Sequence, residues 1–360
     1  MSSADNLARS DRLRKRPPLA PSTSLASAAA QAGLIYGAAA SNADLQDEVL
    51  RAALVRECGA ITPEFEMKWD AIEPAQGERR FGATDRLLDF AWSHGMAFRG
   101  HTPWWHLSTP RWLDGAEAKD FAKAARSHLI AMAERYAGRI HSWDVVNEAV
   151  EPADGRSDGL RRSAFLAALG PGYVAEAFGT IAEIDQTALL VLNEMGLEYE
   201  GPAAQAKRRS VLRLLESLVG SGAPVGCLGL QCHLSASDRP SANAEFREFL
   251  GEVRAMALKV MITELDVDGA VVRGDRAVVD RAVADVYADV VETVAAEGDL
   301  IGVVTWGVSD AKSWLNDREN RRAPRGLPLD ASGRRKASWR ALARGLATRA
   351  RRGADSGSGG

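Results

Sequence analysis

Residues 142–152 read SWDVVNEAVEP. The run Trp143-Asp144-Val145-Val146 has the β-branched and aromatic content of a strand, and it stops at an amide and an acid, Asn147-Glu148. Seven further stretches share this form, mostly apolar until their last few residues. They are LIYGAAA (34–40), AITPEFEM (60–67), AFRGHTP (97–103), ALLVLNEM (188–195), CLGLQCHL (227–234), KVMITELDV (259–267) and LIGVVTWGV (300–308). Strands covered on both faces read this way. Between them run stripes at helical spacing: Phe121, Ala125, His128, Met132 and Tyr136; Phe246, Phe249, Leu250, Val253 and Met256; Val279, Val283, Val286, Val290 and Val294; Trp339, Leu342 and Leu346. Strand–helix alternation implies a parallel sheet with right-handed crossovers, and eight such units predict an α/β protein, a single-domain (β/α)8 TIM barrel. A doubly wound open sheet would carry G-x-G-x-x-G after its first strand, where this chain has LIYGAAASN with one glycine.

The bulk properties agree with one large soluble domain. Of 360 residues, 46% are apolar and 26% charged, and the formal net charge is −3 with both signs interspersed. That balance exerts no global pull on nucleic acid or an anionic membrane, and no apolar run approaches the ~18 residues of a membrane span. Three cysteines, Cys58, Cys227 and Cys232, lack metal spacing and read as buried thiols. We divide the chain into a flexible arm (1–24), the barrel (25–350) and a disordered tail (351–360). The arm's basic cluster, Arg12 to Arg16, is followed by a poor hydrophobic region for an export signal.

Active sites of such barrels lie at the C-terminal ends of the strands, and polar and aromatic residues gather there in this chain. They are Glu64 with Lys68 and Trp69; His101 with Trp104, Trp105 and His106; Asn147 and Glu148; Asn193 and Glu194; Gln231 and His233; Glu264 and Asp266; Trp306 and, in the loop beyond, Trp314. Any one of them could be a turn or core residue; seven strand ends together predict a cleft. His128 belongs to a core stripe and His94 to a helix C-terminus, so neither is a candidate. No phosphate loop, G-x-S-x-G elbow or Cys–His arrangement is present. His101, His106, His233, Glu264 and Asp266 could ligate a metal, but H-x-H and H-E-x-x-H spacings are missing and the histidines are interleaved with tryptophans; we expect no metal and no cofactor. Two glutamates on different strands, amid aromatic faces and neutral hydrogen bonders, suit a polyhydroxylated neutral substrate. Cleaving a glycosidic bond needs one protonated carboxyl and one ionised carboxylate.

At these residues the sequence resembles glycoside hydrolase family 10, the endo-β-1,4-xylanases. The resemblance runs over MKWDAIEPAQGERRF (67–81), RGHTPWWH (99–106), SWDVVNE (142–148), GLQCHL (229–234), ITELDV (262–267) and TWGVSDAKSWL (305–315), in the family's order. It implies a retaining hydrolase of β-1,4-xylosidic bonds in xylan or xylo-oligosaccharides, with Glu148 as general acid/base and Glu264 as nucleophile, their carboxyls ~5–5.5 Å apart. It implies that Asn147 binds the 2-hydroxyl of the sugar being cleaved, and that Glu64, Lys68, His101, Trp105, Gln231 and His233 line the donor side, His233 also orienting Glu264. Trp306 and Trp314 would roof the same subsites. Asn193 joins them as a substrate-binding candidate at the end of strand five.

Three departures stand out. Phe65 replaces an asparagine that holds the second donor-side sugar; Met195-Gly196 replaces a Tyr-Asn pair on the acceptor side; and Pro103-Trp104 adds a large ring expected near the cleft. The first two predict a preference for substituted or short xylo-oligosaccharides over bare xylan. The rival readings are a β-glycosidase acting on other β-glycans and a non-catalytic carbohydrate-binding barrel. The expected partner is the saccharide alone, with no nucleic acid or membrane, on a monomer. The resemblance implies a secreted or periplasmic enzyme; complete as written and without a clear signal peptide, the chain would be cytoplasmic.

Overall fold

The computed structural model describes residues 24–238, 240–317 and 322–356. Residues 1–23 of the expected arm and the last four residues of the expected tail lie outside that range; the final helix runs from Ala337 to Ser356. Among the described residues, nine strands form one sheet: β1 Ile35–Ala40, β2 Ala60–Pro63, β3 Ala97–Trp105, β4 Ser142–Asn147, β5 Leu189–Glu194, β6 Cys227–Leu230, β7 His233–Ser235, β8 Lys259–Asp268 and β9 Leu300–Thr305. Every pairing between them is parallel; β1 to β6 each pair with the next, β6 and β7 both pair with β8, β8 with β9, and β9 with β1 to close the ring. The sixth expected strand comes in two pieces, because Cys232 takes a positive φ of 56° and breaks it between Leu230 and His233. β6 and β7 pair with successive parts of β8, so the barrel has eight staves.

Helices cover the outside, and their starts are fixed by side chains at the loop ends. Asp47 accepts from the amides of Val49 and Leu50, Asn243 from Phe246 and Asp275 from Val278. The expected stripes point inward: Phe121, Ala125, His128, Met132 and Tyr136 are all buried on the helix Ala118–Tyr136. His128 stacks on Trp69 with ring centroids 4.9 Å apart, as a core residue. His94 caps the helix Gly82–Ser93, its Nδ1 2.8 Å from the carbonyl of Phe90. Trp104 is fully buried beneath the helices, tilted against Phe165 and donating to the carbonyl of Ala125. The expectation that its ring adds to the cleft is corrected: alternation along β3 turns His101 inward and Trp104 outward.

One acid ties the two ends of the described chain together. Glu57, fully buried, accepts from the backbone of Leu25 and from Arg56, Arg335 and Trp339, joining the first helix, Leu25–Gln31, to the start of the last. Within the bore, Val191, Cys227 and Met261 form a small apolar plug. Near it lies a charged layer: Arg99 donates to Asp144 at 2.5 Å and to Ser142 at 2.9 Å, all three buried. Gly100 on β3 makes room for Trp143 on β4, since a Cβ there would stand 2.2 Å from the indole. The three cysteines are free and buried.

Candidate active site

Both glutamates lie at or just after an irregularity in their strand. The pairing of β4 with β5 shifts register between Asp144 and Val146, and Glu148, just past the strand end, takes φ 58°. The pairing of β8 with β9 shifts between Ile262 and Leu265, around Glu264. Such bulges re-aim a side chain that strict alternation would point elsewhere.

The two carboxyls belong to one chain of amides. Gln231 Nε2 donates to Glu148 Oε1 (3.1 Å) and to Asn147 Oδ1 (3.2 Å). Asn193 Nδ2 donates to Asn147 Oδ1 and to Glu264 Oε1, both at 2.8 Å. Thr263 fixes the amide's orientation by donating to Asn193 Oδ1 at 2.6 Å. Gly229, opposite Asn193 in the β5–β6 register, leaves space for that oxygen, which would lie 2.3 Å from a Cβ at 229.

The surroundings of the two acids differ. Glu264 Oε2 lies 3.2 Å from His233 Nε2, and His233 Nδ1 lies 3.0 Å from Asp266. Burial works against charge on His233, but Asp266 and Glu264 outweigh it and lift its pKa to about 10. Burial would likewise raise Glu264, yet the His233 hydrogen bond, nearby His101 and the Asn193 amide hold it down at about 2. Glu148 Oε2 instead faces His106 Nδ1 at 3.9 Å and Arg161 at 4.0 Å. His106 is pushed below the ordinary imidazole range by burial and by Arg161.

On the β2–β3 side, Lys68 stands 4.7 Å from the ring centre of Trp105 and 5.2 Å from that of Phe65. Burial lowers its pKa against the pull of Glu264 and Glu64. Burial raises Glu64, with Lys312 opposing at 3.4 Å. Lys312 also reaches Asp44 (3.0 Å) and Ser41 (2.6 Å), and lies 5.8 Å from the Phe65 ring centre. His101 is held by Asp144 at 2.9 Å and meets Trp306 edge-on. Trp314 meets His233 edge-on and donates to Asp266 at 2.5 Å. All twelve candidate residues therefore connect to one mouth, linked through Glu148, Glu264, His233, His101 or Lys68.

Several contributors escaped the sequence reading. Arg161 donates to the Glu148 carbonyl at 2.8 Å. Lys207 lies 3.1 Å from Glu194, the strand-end acid already noted in the sequence, which is fully buried and accepts from Val150 at 2.9 Å; burial raises the Glu194 pKa against that lysine. Arg161 and Lys207 lie on a loop and a helix, where nothing in their own stretch marks them. Asp144 and Lys312 lie inside quoted motifs, and their partners could have drawn attention: Arg99 and His101 on the adjacent strand β3, and Asp44 and Glu64 after β1 and β2. Among the described residues, no group of three His, Cys, Asp or Glu side chains converges to hold a metal ion, and no helix is long and apolar enough to cross a membrane.

This arrangement has relatives. Residues 24–344 match the profile of Glycosyl hydrolase family 10. Endo-1,4-beta-xylanase 2 of Claviceps purpurea is 33% identical over 283 residues, covering 78% of this chain and 80% of that protein. Endo-1,4-beta-xylanase 3 of Hypocrea jecorina is 31% identical over 286 residues, covering 78% and 75%. Native xylanase 10B from Thermotoga maritima superposes with a TM-score of 0.82 at 26% identity, over 92% of this chain and all of that one. The Thermotoga petrophila RKU-1 xylanase 10B, solved with xylobiose, gives the same score and identity over 92% and 99%. With the profile spanning nearly the whole barrel, the chain belongs to glycosyl hydrolase family 10.

Proposed function

We propose that this glycoside hydrolase is a retaining endo-1,4-β-xylanase, acting on xylan or xylo-oligosaccharides, with Glu264 as nucleophile and Glu148 as general acid/base. The observation that carries the assignment of roles is the amide chain Gln231–Asn147–Asn193, which ties both carboxyls into one network while giving them opposite surroundings. Glu264, paired with a cationic imidazole, is ionised at any ordinary pH and available to attack the anomeric carbon. Glu148 donates its proton to the leaving glycosidic oxygen. That leaves Glu148 as a carboxylate, and because the glycosyl ester has removed the negative charge of Glu264, Glu148 stays ionised and is free to act as base. Water then loses its proton to Glu148 and attacks the ester, restoring both carboxyls. The amides add no charge, so they bind hydroxyls without disturbing this exchange.

The donor side supports an altered preference. Phe65 is 50% exposed and offers no hydrogen bond where the family has an amide, so an interaction of roughly 0.5–1.5 kcal/mol is missing. Its ring instead stands beside the Lys68 and Lys312 ammonium groups. We read this as favouring substituted or short xylo-oligosaccharides over bare xylan. The test is hydrolysis of xylan, mixed-linkage glucan and defined xylo-oligosaccharides by wild type, Glu264→Ala and Glu148→Ala. Turnover on the xylo-substrates, lost by at least ~10³-fold in Glu264→Ala, is expected. Glucan turnover above xylan turnover, or an undiminished Glu264→Ala, would overturn the reading. Release of xylobiose and xylotriose from bare xylan as efficiently as from short or substituted oligosaccharides would overturn the preference alone.

A further inference from the structure

The kink at Cys232 decides where two side chains of the site point. Just before it Gln231 donates to Glu148, and just after it His233 faces Glu264; the residue between them stands at φ 56°. Cysteine carries a Cβ, and for such residues the left-handed region is strained. The kink also takes an amide out of the sheet. The backbone N–H of Gln231 still donates to the Glu194 carbonyl on β5 at 3.0 Å, but the next amide, of the fully buried Cys232, has turned away. A buried amide needs an acceptor.

Glu198 supplies that acceptor from outside the strands. Its buried Oε1 accepts from the Cys232 amide and thiol, both at 3.2 Å. Glu198 is itself fixed. Asn243 donates to its carbonyl at 3.2 Å, and Arg208 donates to the carbonyls on either side, Leu197 at 2.8 Å and Tyr199 at 2.7 Å. Tyr199 Oη donates to the His233 carbonyl, so the residue after the kink is held from the same segment. The Glu198 carboxyl is bonded to Cys232 and to neither acid of the cleft, so its effect on them is one of aim.

We propose that Glu198 is a positioning residue for both acids: it stabilises the left-handed turn at Cys232 that aims Gln231 at Glu148 and His233 at Glu264. The inference rests on the roles proposed above for the two acids and adds what keeps their partners in place.

The experiment removes the anchor and relieves the strain by another route. Glycine reaches φ 56° without a Cβ penalty, so Cys232→Gly holds the kink unaided. Kinetics are measured on p-nitrophenyl β-xylobioside. Glu198→Ala is expected to lower kcat/KM on the order of tenfold and to move the acid limb of its profile to higher pH, because His233 withdraws from Glu264. The charged and titratable groups facing Glu264 are His233 with Asp266 behind it, His101 with Asp144 behind it, Lys68, and Glu148 across the amide chain; of these only His233 adjoins the kink. Glu198→Ala/Cys232→Gly is expected to return to within about threefold of Cys232→Gly alone, with the acid limb restored. A Glu198→Ala enzyme within about twofold of wild type, or one whose acid limb has not moved, overturns the proposal. So does a double variant no better than Glu198→Ala, folded or not, which would make Glu198 a packing residue. Each of these leaves the xylanase reading intact; a wild type inert on this substrate would remove that reading and this inference together.

Discussion

A carboxylate as buried as Glu264, 4% exposed, is tolerable only when paired. One oxygen takes the Asn193 amide and the other the His233 imidazole, whose far nitrogen is held by Asp266. The pair has a working window. His233, raised to about 10, gives stabilisation that is full below the ordinary imidazole range and fades as pH rises through that value. Glu264, lowered to about 2, gives stabilisation that is full above the ordinary carboxylate range and fades as pH falls toward that value. Replacing His233 with Asn removes the cation, so the Glu264 pKa rises and the acid limb of the kcat/KM profile moves to higher pH. A pH–rate profile checks this; an unmoved acid limb would mean that His233 does not tune the nucleophile. The residues that touch this pair were legible because each closes a strand, where a polar side chain is conspicuous after an apolar run. Arg161 and Lys207 were not, because they reach the site from a loop and a helix, where charged residues are ordinary. Trp104 was misread because its neighbour Trp105 does face the cleft and the sequence does not mark which of two adjacent indoles turns inward.

At the scale of elements, strand type and order were readable, since buried parallel strands are written as apolar runs. Their interruptions were not. The break at Cys232 and the bulges in β4 and β8 depend on local φ/ψ and on what the neighbouring staves hold, and no glycine or proline announces them. The helices are joined to one another by side chains whose partners are equally non-local, and Glu57 is the plainest case. Burial would raise its carboxyl, but Arg56, Arg335 and Trp339 hold it below its ordinary value. Its contribution is therefore present above the ordinary carboxylate range and lost as pH falls through the depressed folded value. Glu57→Ala should cost roughly 2–3 kcal/mol, discounted because Arg56 and Arg335 are partly in water. Denaturant melts of both forms at neutral and acid pH check it: the gap between them should narrow on acidification, and a gap that widened would contradict the assigned role.

At the scale of the molecule, eight alternating units sufficed to anticipate a closed barrel, because an open sheet of that composition would leave apolar edges and lacks its glycine fingerprint. How the two ends of the described chain are tied together was invisible, for it depends on contacts between residues far apart in sequence. Glu57 and Trp339 are 282 residues apart in sequence and 2.9 Å apart in space. A chain emerging from the ribosome thus displays every residue of the cleft, through Trp314, before the last stitch between its ends exists. Stopping translation after Gly333 would spare all the chemistry and still forfeit Arg335, Trp339 and the buried Leu342 and Leu346. Such a truncated enzyme is expected to be aggregated or inactive, as soluble yield and xylan turnover would reveal; full activity would mean that the hoop holds without its clasp.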